Sequence, residues 1–240
     1  MSIIKIILFL ITVLFISYNF FCKPNNETFF NKKKYNIYFI NLKHRTDRKK
    51  KFIQEIKKLD SLENHSFKHT RIDAIKDIEG SIGCGKSHIK ALQKAKQNNL
   101  PYVIIMEDDI NIKTHEIEKC FKILKDLEEW DVFILSGHGK KKKINDDVSK
   151  AIGIQTTGMY IIKNNYYDTL INCFQESVDR MTELKKQKKN INEPRWAIDM
   201  NWKLLQKKDN WLILNKNLGI QRANYSDIEN KIVNYSNMLN

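Results

Sequence analysis

Three consecutive carboxylates, Glu107, Asp108 and Asp109, follow directly on Tyr102–Met106, an apolar run that suits a buried strand. Burying charge is costly unless it is paired or metal-bound. The cluster therefore either points into water at a strand tip or holds something positive, in a chain whose formal net charge is +14. Glu107 and Asp109 stand at i and i+2, which share a face on extended backbone, so both carboxylates can meet one cation. Hard oxygen ligands suit Mg²⁺ or Mn²⁺, and such ions bridge the phosphates of a substrate. An acid-x-acid pair at a strand end is thus a diphosphate–metal site in waiting, with a solvated acidic loop as the alternative.

The elements that must position this pair alternate along the chain. Residues 36–41 read as a buried strand. Residues 46–59 carry Phe52, Ile53, Ile56 and Leu59 at helical spacing. Residues 67–75 read as a second strand, 81–98 as a helix opened by glycines, 102–106 as the strand before the acids, 115–130 as a helix and 131–137 as another strand. This alternation implies an α/β fold with a mostly parallel central sheet. Ligands in such sheets bind at the carboxyl ends of the strands, which gathers Asn41–Arg48, Asp73 and Glu107–Asp109. The second half is less regular. Residues 151–163 read as two short strands around Thr156–Gly158. A helix covers 166–174, another 196–208, and a strand 211–215. The tail from Leu218 shows no clear period.

In this order the segments resemble glycosyltransferase family 25, the lipooligosaccharide and collagen galactosyltransferases. The matching residues are Ile40-Asn41-Leu42 with Arg45 and Asp47-Arg48, then Asp73-Ala74. Gly80, Ile82-Gly83-Cys84 and Ser87-His88 follow, and then Glu107-Asp108-Asp109. The likeness continues more loosely through Thr156–Lys163, Ala197–Trp202 and Gly219–Ile228, and covers most of residues 35–230. Gly85-Lys86 departs from the Ala-Leu that many members carry there.

The resemblance implies a GT-A-like fold and transfer of galactose or glucose from a UDP-sugar donor to a hydroxyl acceptor, with inversion. The acceptor is a glycan, a lipid-linked glycan or hydroxylysine. Glu107 and Asp109 would hold Mn²⁺ or Mg²⁺, and Asp108 would contact ribose or sugar. Asn41, Arg45 and Asp73 would hold the nucleoside end, with Ser87, His88 and Gln221 also on the donor. Ser226 and Asp227 would close over the donor with the tail. Asp199 is the expected general base, a lone acid at a helix start among apolar residues, where burial raises its pKa. Its alternative is a helix N-terminal charge favoured by the dipole. His88 is either a core histidine or a neighbour of the diphosphate. Cys84 and His88, four apart on a helix, supply only two of the four ligands of a structural zinc site.

The 240 residues, 42% of them hydrophobic, suffice for one core. Cys22, Cys84, Cys120 and Cys173 form no CxxC pair, so no disulfide framework is indicated. Ile6–Phe21 is a run of sixteen residues without a charge, extended by Ile3 and Ile4. A spanning helix needs roughly 17–25 mostly apolar residues. Residues 1–22 are therefore expected to be a membrane anchor (or a signal segment), 23–34 a lysine-rich stem and 35–240 the transferase domain. Lysines on both sides of the run leave the orientation open. Two rivals come from other classes. A basic nucleic-acid or lipid-surface binder needs lysines gathered on one face, whereas here they fall in separate runs, so no nucleic-acid partner is expected. A metal-dependent phosphohydrolase needs more ligands for a second metal.

Overall fold

A computed structural model describes residues 33–62, 65–189, 194–227 and 231–234. The expected anchor at 1–22 and nearly all of the stem lie outside the described residues. Among the described residues no helix is long and apolar enough to cross a membrane.

The first half follows its sequence pattern closely. Strand β1 (Lys33–Asn41) leads to helix α1 (Thr46–Lys57), strand β2 (His65–Asp73), helix α2 (Gly80–Gln97) and strand β3 (Tyr102–Glu107). A short β4 (Ile110–Ile112) and helix α3 (Ile117–Asp126) follow. Then come β5 (Val132–Lys143), β6 (Val148–Lys163), α4 (Tyr167–Lys186), α5 (Ile198–Asn201), α6 (Lys203–Lys208) and β7 (Trp211–Leu214). The tail forms β8 (Gly219–Gln221), β9 (Asn224–Ser226) and β10 (Lys231–Val233).

The central sheet has the order β2-β1-β3-β6-β5-β7. Neighbours β2–β1, β1–β3 and β5–β7 run parallel, and β6 is inserted antiparallel to β3 and β5. The sheet is accordingly mixed but mostly parallel. Alternation along β3 sends Val103 and Ile105 to one face and Ile104 and Met106 to the other. The first face packs on α2 and α4 through Leu92, Ala95, Leu170 and Phe174. The second packs on α1 and α3 through Phe52, Ile56, Phe121 and Leu124. Both faces are covered, as a mainly parallel sheet requires.

Several expectations are revised in the second half. Residues 151–163 are not two strands but part of one 16-residue strand, bent where Thr156 adopts φ +76°. The helix expected over 115–130 stops at Asp126. The one expected over 196–208 breaks at Trp202, whose ring is buried while its indole N–H donates to Ile154 O. The run Lys140–Lys143, which reads as a solvated loop, continues β5 as an exposed strand end.

Candidate active site

A cleft of about 780 Å³ opens where β1, β2 and β3 end, within the usual size range for ligand sites. Its wall includes Ser87, His88, Glu107, Asp108, Asp109, Asp199 and Gln221 from the expected set. Asn41, Arg45 and Asp73 are not on it. Each is instead engaged by neighbouring groups of the protein. Asn41 is buried; its Nδ2 donates to Asp108 Oδ2 (2.6 Å) and Arg45 O (3.0 Å), and its Oδ1 accepts from Arg71 Nε (2.8 Å). The Arg45 guanidinium pairs with Asp47 and Asp227. Asp73 is exposed and paired with Arg71 at 2.5 Å.

The acids come together differently from the extended-strand picture. β3 ends at Glu107, and Asp108 and Asp109 form the turn into β4. Even so, the side chains of 107 and 109 both line the cleft. Glu107 Oε1 accepts from the Thr157 hydroxyl at 2.8 Å. His88 Nε2 lies 3.4 Å from the same oxygen, without hydrogen-bond alignment. Burial would raise the Glu107 carboxyl, but His88, Thr157 and Arg48 together outweigh it and hold the group below its ordinary value. Asp109 is pushed up to about 7, first by burial and then by the charge of Glu107, against the opposing pull of Arg48. Its Oδ1 is buried with no hydrogen-bond partner, while Oδ2 sits 3.4 Å from Arg48. Two adjacent carboxylates, one with a bare buried oxygen, fit a divalent cation, which would satisfy that oxygen and relieve the repulsion.

Asp108 does not face the cavity with free oxygens. It accepts from Asn41 and from Arg48 Nη1 (3.0 Å), so it anchors the turn. His88 Nδ1 lies 3.1 Å from the buried Tyr160 hydroxyl. Burial raises that phenol far above its ordinary value. The phenol therefore stays protonated and shares a hydrogen bond with Nδ1. Cys84 Sγ, His88 and Glu107 have ligand atoms within 4.8 Å of one another. Burial and neighbouring acids push the Cys84 thiol far up.

Ser87 staples the loop after β2 to α2. Its hydroxyl accepts from Ile75 N (2.8 Å) and donates to Gly83 O (2.6 Å). The close approach depends on Gly83, where a Cβ would lie 2.7 Å from Ile75 O. Asp199, near the start of α5, accepts from Thr156 N at 3.1 Å. Burial raises its carboxyl, and the Glu107 charge adds to the rise. The bond holds a β-branched residue at positive φ, a strained backbone of the kind found at functional sites.

Sequence reasoning left Thr157, Tyr160 and Arg222 without a role. Arg222 donates to Asp108 O at 2.6 Å and, through its N–H, to Asp109 O at 2.8 Å, binding the tail to the acid turn. Nothing local in the sequence signals these contacts, which cross from 50 to more than 100 residues. Arg48 was visible as part of the Asp47-Arg48 pair.

The profile of glycosyltransferase family 25 (LPS biosynthesis protein) matches residues 34–193. The chain belongs to this family. It is a glycosyltransferase, and the segments that carried the resemblance up to the acid turn fall inside the matched region. Several solved structures are similar to part of the chain at low identity. One is described as a mannose-1-phosphate geranyltransferase from Thermus thermophilus (TM-score 0.45, 9% identity, 76% of this chain and 73% of that one). Another is a glycosyltransferase involved in glycosylation of the major capsid of PBCV-1 (TM-score 0.41, 11% identity, 76% and 92%). A third is the glycosyltransferase GlyE of Streptococcus pneumoniae (TM-score 0.45, 11% identity, 77% and 46%). No curated protein matches the sequence.

Proposed function

We propose that this family 25 glycosyltransferase moves galactose or glucose from a UDP-sugar to a hydroxyl of a glycan, a lipid-linked glycan or hydroxylysine, with inversion. The observation that carries the reading is the pairing, in one cleft, of Glu107 and the bare Asp109 oxygen with the half-buried Asp199. Glu107 and Asp109 would hold Mn²⁺ or Mg²⁺, which supplies Lewis-acid stabilisation of charge on a departing diphosphate. Asp199, raised by burial, takes the acceptor hydroxyl proton as its oxygen attacks the anomeric carbon and the bond to UDP breaks. Thr157 and His88 fix the Glu107 carboxylate, and Asn41 and Arg48 fix the turn through Asp108. Ser87 sets the loop that forms the cleft's far wall. Gln221, with Ser226 and Asp227, brings the tail to the cleft from the donor side. The apolar run 3–21 would tether the enzyme to a membrane as a single-pass anchor.

The test is to incubate the full chain in detergent with Mn²⁺ and radiolabelled UDP-galactose or UDP-glucose. Sugar release or transfer to an added acceptor supports the reading. Absence of both turnover and UDP binding overturns it.

A further inference from the structure

A second cavity of about 490 Å³ lies beside the cleft, on the side of β5 and β7. Its floor is backbone and aliphatic: Gly137, Gly139, Ile154 and Ile213. Gly139 has φ +133°, and a Cβ on it would lie 2.3 Å from Gly153 O, so the neighbouring strand admits only glycine there. Three lysines stand around this floor, Lys113, Lys141 and Lys216, and Glu116 is the only acid in the wall. His115 Nε2 lies 3.8 Å from the Glu116 carboxylate. Lys141 donates to a neutral acceptor, Asn215 O, at 3.2 Å. No carboxylate pairs with Lys113, Lys141 or Lys216 among the described residues. Other lysines do have one: Lys119 pairs with Asp147, Lys143 with Asp146 and Lys96 with Asp168.

The groove and the cleft share a wall. His138 lines both, and its Nδ1 is buried without a hydrogen-bond partner. Across the β5–β6 ladder His138 is opposite Gln155, which lines the cleft, and Gly139 is opposite Ile154, which lines the groove. His138 and Gln155 therefore stand between the groove and the cleft that holds Asp199 and Thr156.

We infer that this groove is the acceptor subsite and that it selects a sugar bearing an anionic group, a phosphate or a carboxylate, seated among Lys113, Lys141 and Lys216. The inference rests on the donor reading of the adjoining cleft and adds the acceptor's chemical class. An apolar floor suits one face of a sugar ring, and a concave set of three lysines against one glutamate focuses field on an anion. Charge-assisted hydrogen bonds from lysine supply the affinity.

The test measures binding of glucose 6-phosphate, glucuronic acid and glucose to the full chain in detergent, with UDP and Mn²⁺ saturating so that the cleft is filled. UDP affinity is read in the same preparations. The expected result is that at least one acidic sugar binds about tenfold or more tighter than glucose. The tighter of the two identifies the anionic group. The preference should fall to the glucose level in the triple variant K113Q/K141Q/K216Q, with UDP affinity unchanged. It should also weaken in the unaltered chain as salt is raised, a readout that needs no variant. Equal binding of acidic and neutral sugars, or a preference that survives both the substitutions and high salt, overturns the groove while leaving the donor reading intact. Loss of UDP binding by the unaltered chain overturns the donor reading and, with it, the groove's role as acceptor subsite.

Discussion

Glu107 and Asp109 are the same kind of group, two residues apart, yet their surroundings drive them in opposite directions. Glu107 is held ionised by its neighbours, while Asp109 is pushed up to about 7 by burial and by Glu107. The sign of the consequence follows from linkage. With its folded pKa above the ordinary value of 3.8, Asp109 favours the fold while protonated, and that contribution is lost as pH rises through about 7. The metal-free chain should therefore melt lower at about pH 8 than at about pH 5, and Asp109→Asn should remove this part of the drop. Scanning calorimetry in chelator checks it. Added Mn²⁺ should restore more stability at the higher pH, where the ligand is deprotonated. Asp199 allows a sharper separation of roles. In Asp199→Asn the amide oxygen can still accept from Thr156 N, so the fold should keep its melting temperature. Transfer should drop by about 10²–10⁴ if the carboxylate is the base; unchanged kcat would leave Asp199 a purely positioning residue.

At the scale of elements, α2 and the loop before it form the wall opposite the acids, and two small residues decide how close they come. Gly83→Ala would drive a Cβ to 2.7 Å from Ile75 O and 3.2 Å from Asp77 N. A destabilisation of about 1–3 kcal/mol is expected from such overpacking. Ser87→Ala leaves the part-buried Ile75 N–H without its partner, a loss of about 1 kcal/mol for a hydrogen bond that water can partly replace. Urea unfolding of both variants measures these values. The elements from β1 to β3 were legible because each has a local period: alternation in the strands, and apolar residues three and four apart in α1 and α2. What was not legible arises from partners far off in sequence. β4 exists because Ile110–Ile112 pairs with Gly219–Gln221. β6 runs unbroken through Thr156 because β5 and Asp199 hold it there. The break at Trp202 follows from a buried ring and its bond to Ile154, which helical spacing alone does not encode. The same limit applied to the site. Acid turn, Ser87, His88, Asp199 and Gln221 reach the cleft, whereas Asn41 looked like a ligand contact and is instead the buried hub beneath it.

Across the whole molecule, Arg48 ties the first helix, the acid turn and the tail together. Its guanidinium reaches Asp108 at 3.0 Å, Asp109 at 3.4 Å and Tyr225 O at 2.7 Å. Removing one partner of a buried ion pair costs about 3–5 kcal/mol. Arg48→Ala should therefore lower stability by roughly that amount, and it should make the chain beyond Arg222 more open to limited proteolysis. UDP with Mn²⁺ should protect the same segment in the unaltered protein. The arrangement as a whole places a cation-ready acid pair, a raised carboxyl and a basic groove along one edge of a mostly parallel sheet. The claim beneath all of it is that Glu107 and Asp109 together hold the ion that neutralises the leaving diphosphate. The most direct measurement is Mn²⁺-dependent release of radiolabelled sugar from UDP-galactose and UDP-glucose by the full chain, beside the variant E107Q/D109N. A fall of about a hundredfold or more, with the far-ultraviolet dichroism unchanged, is the predicted result; turnover equal to the unaltered chain would contradict it.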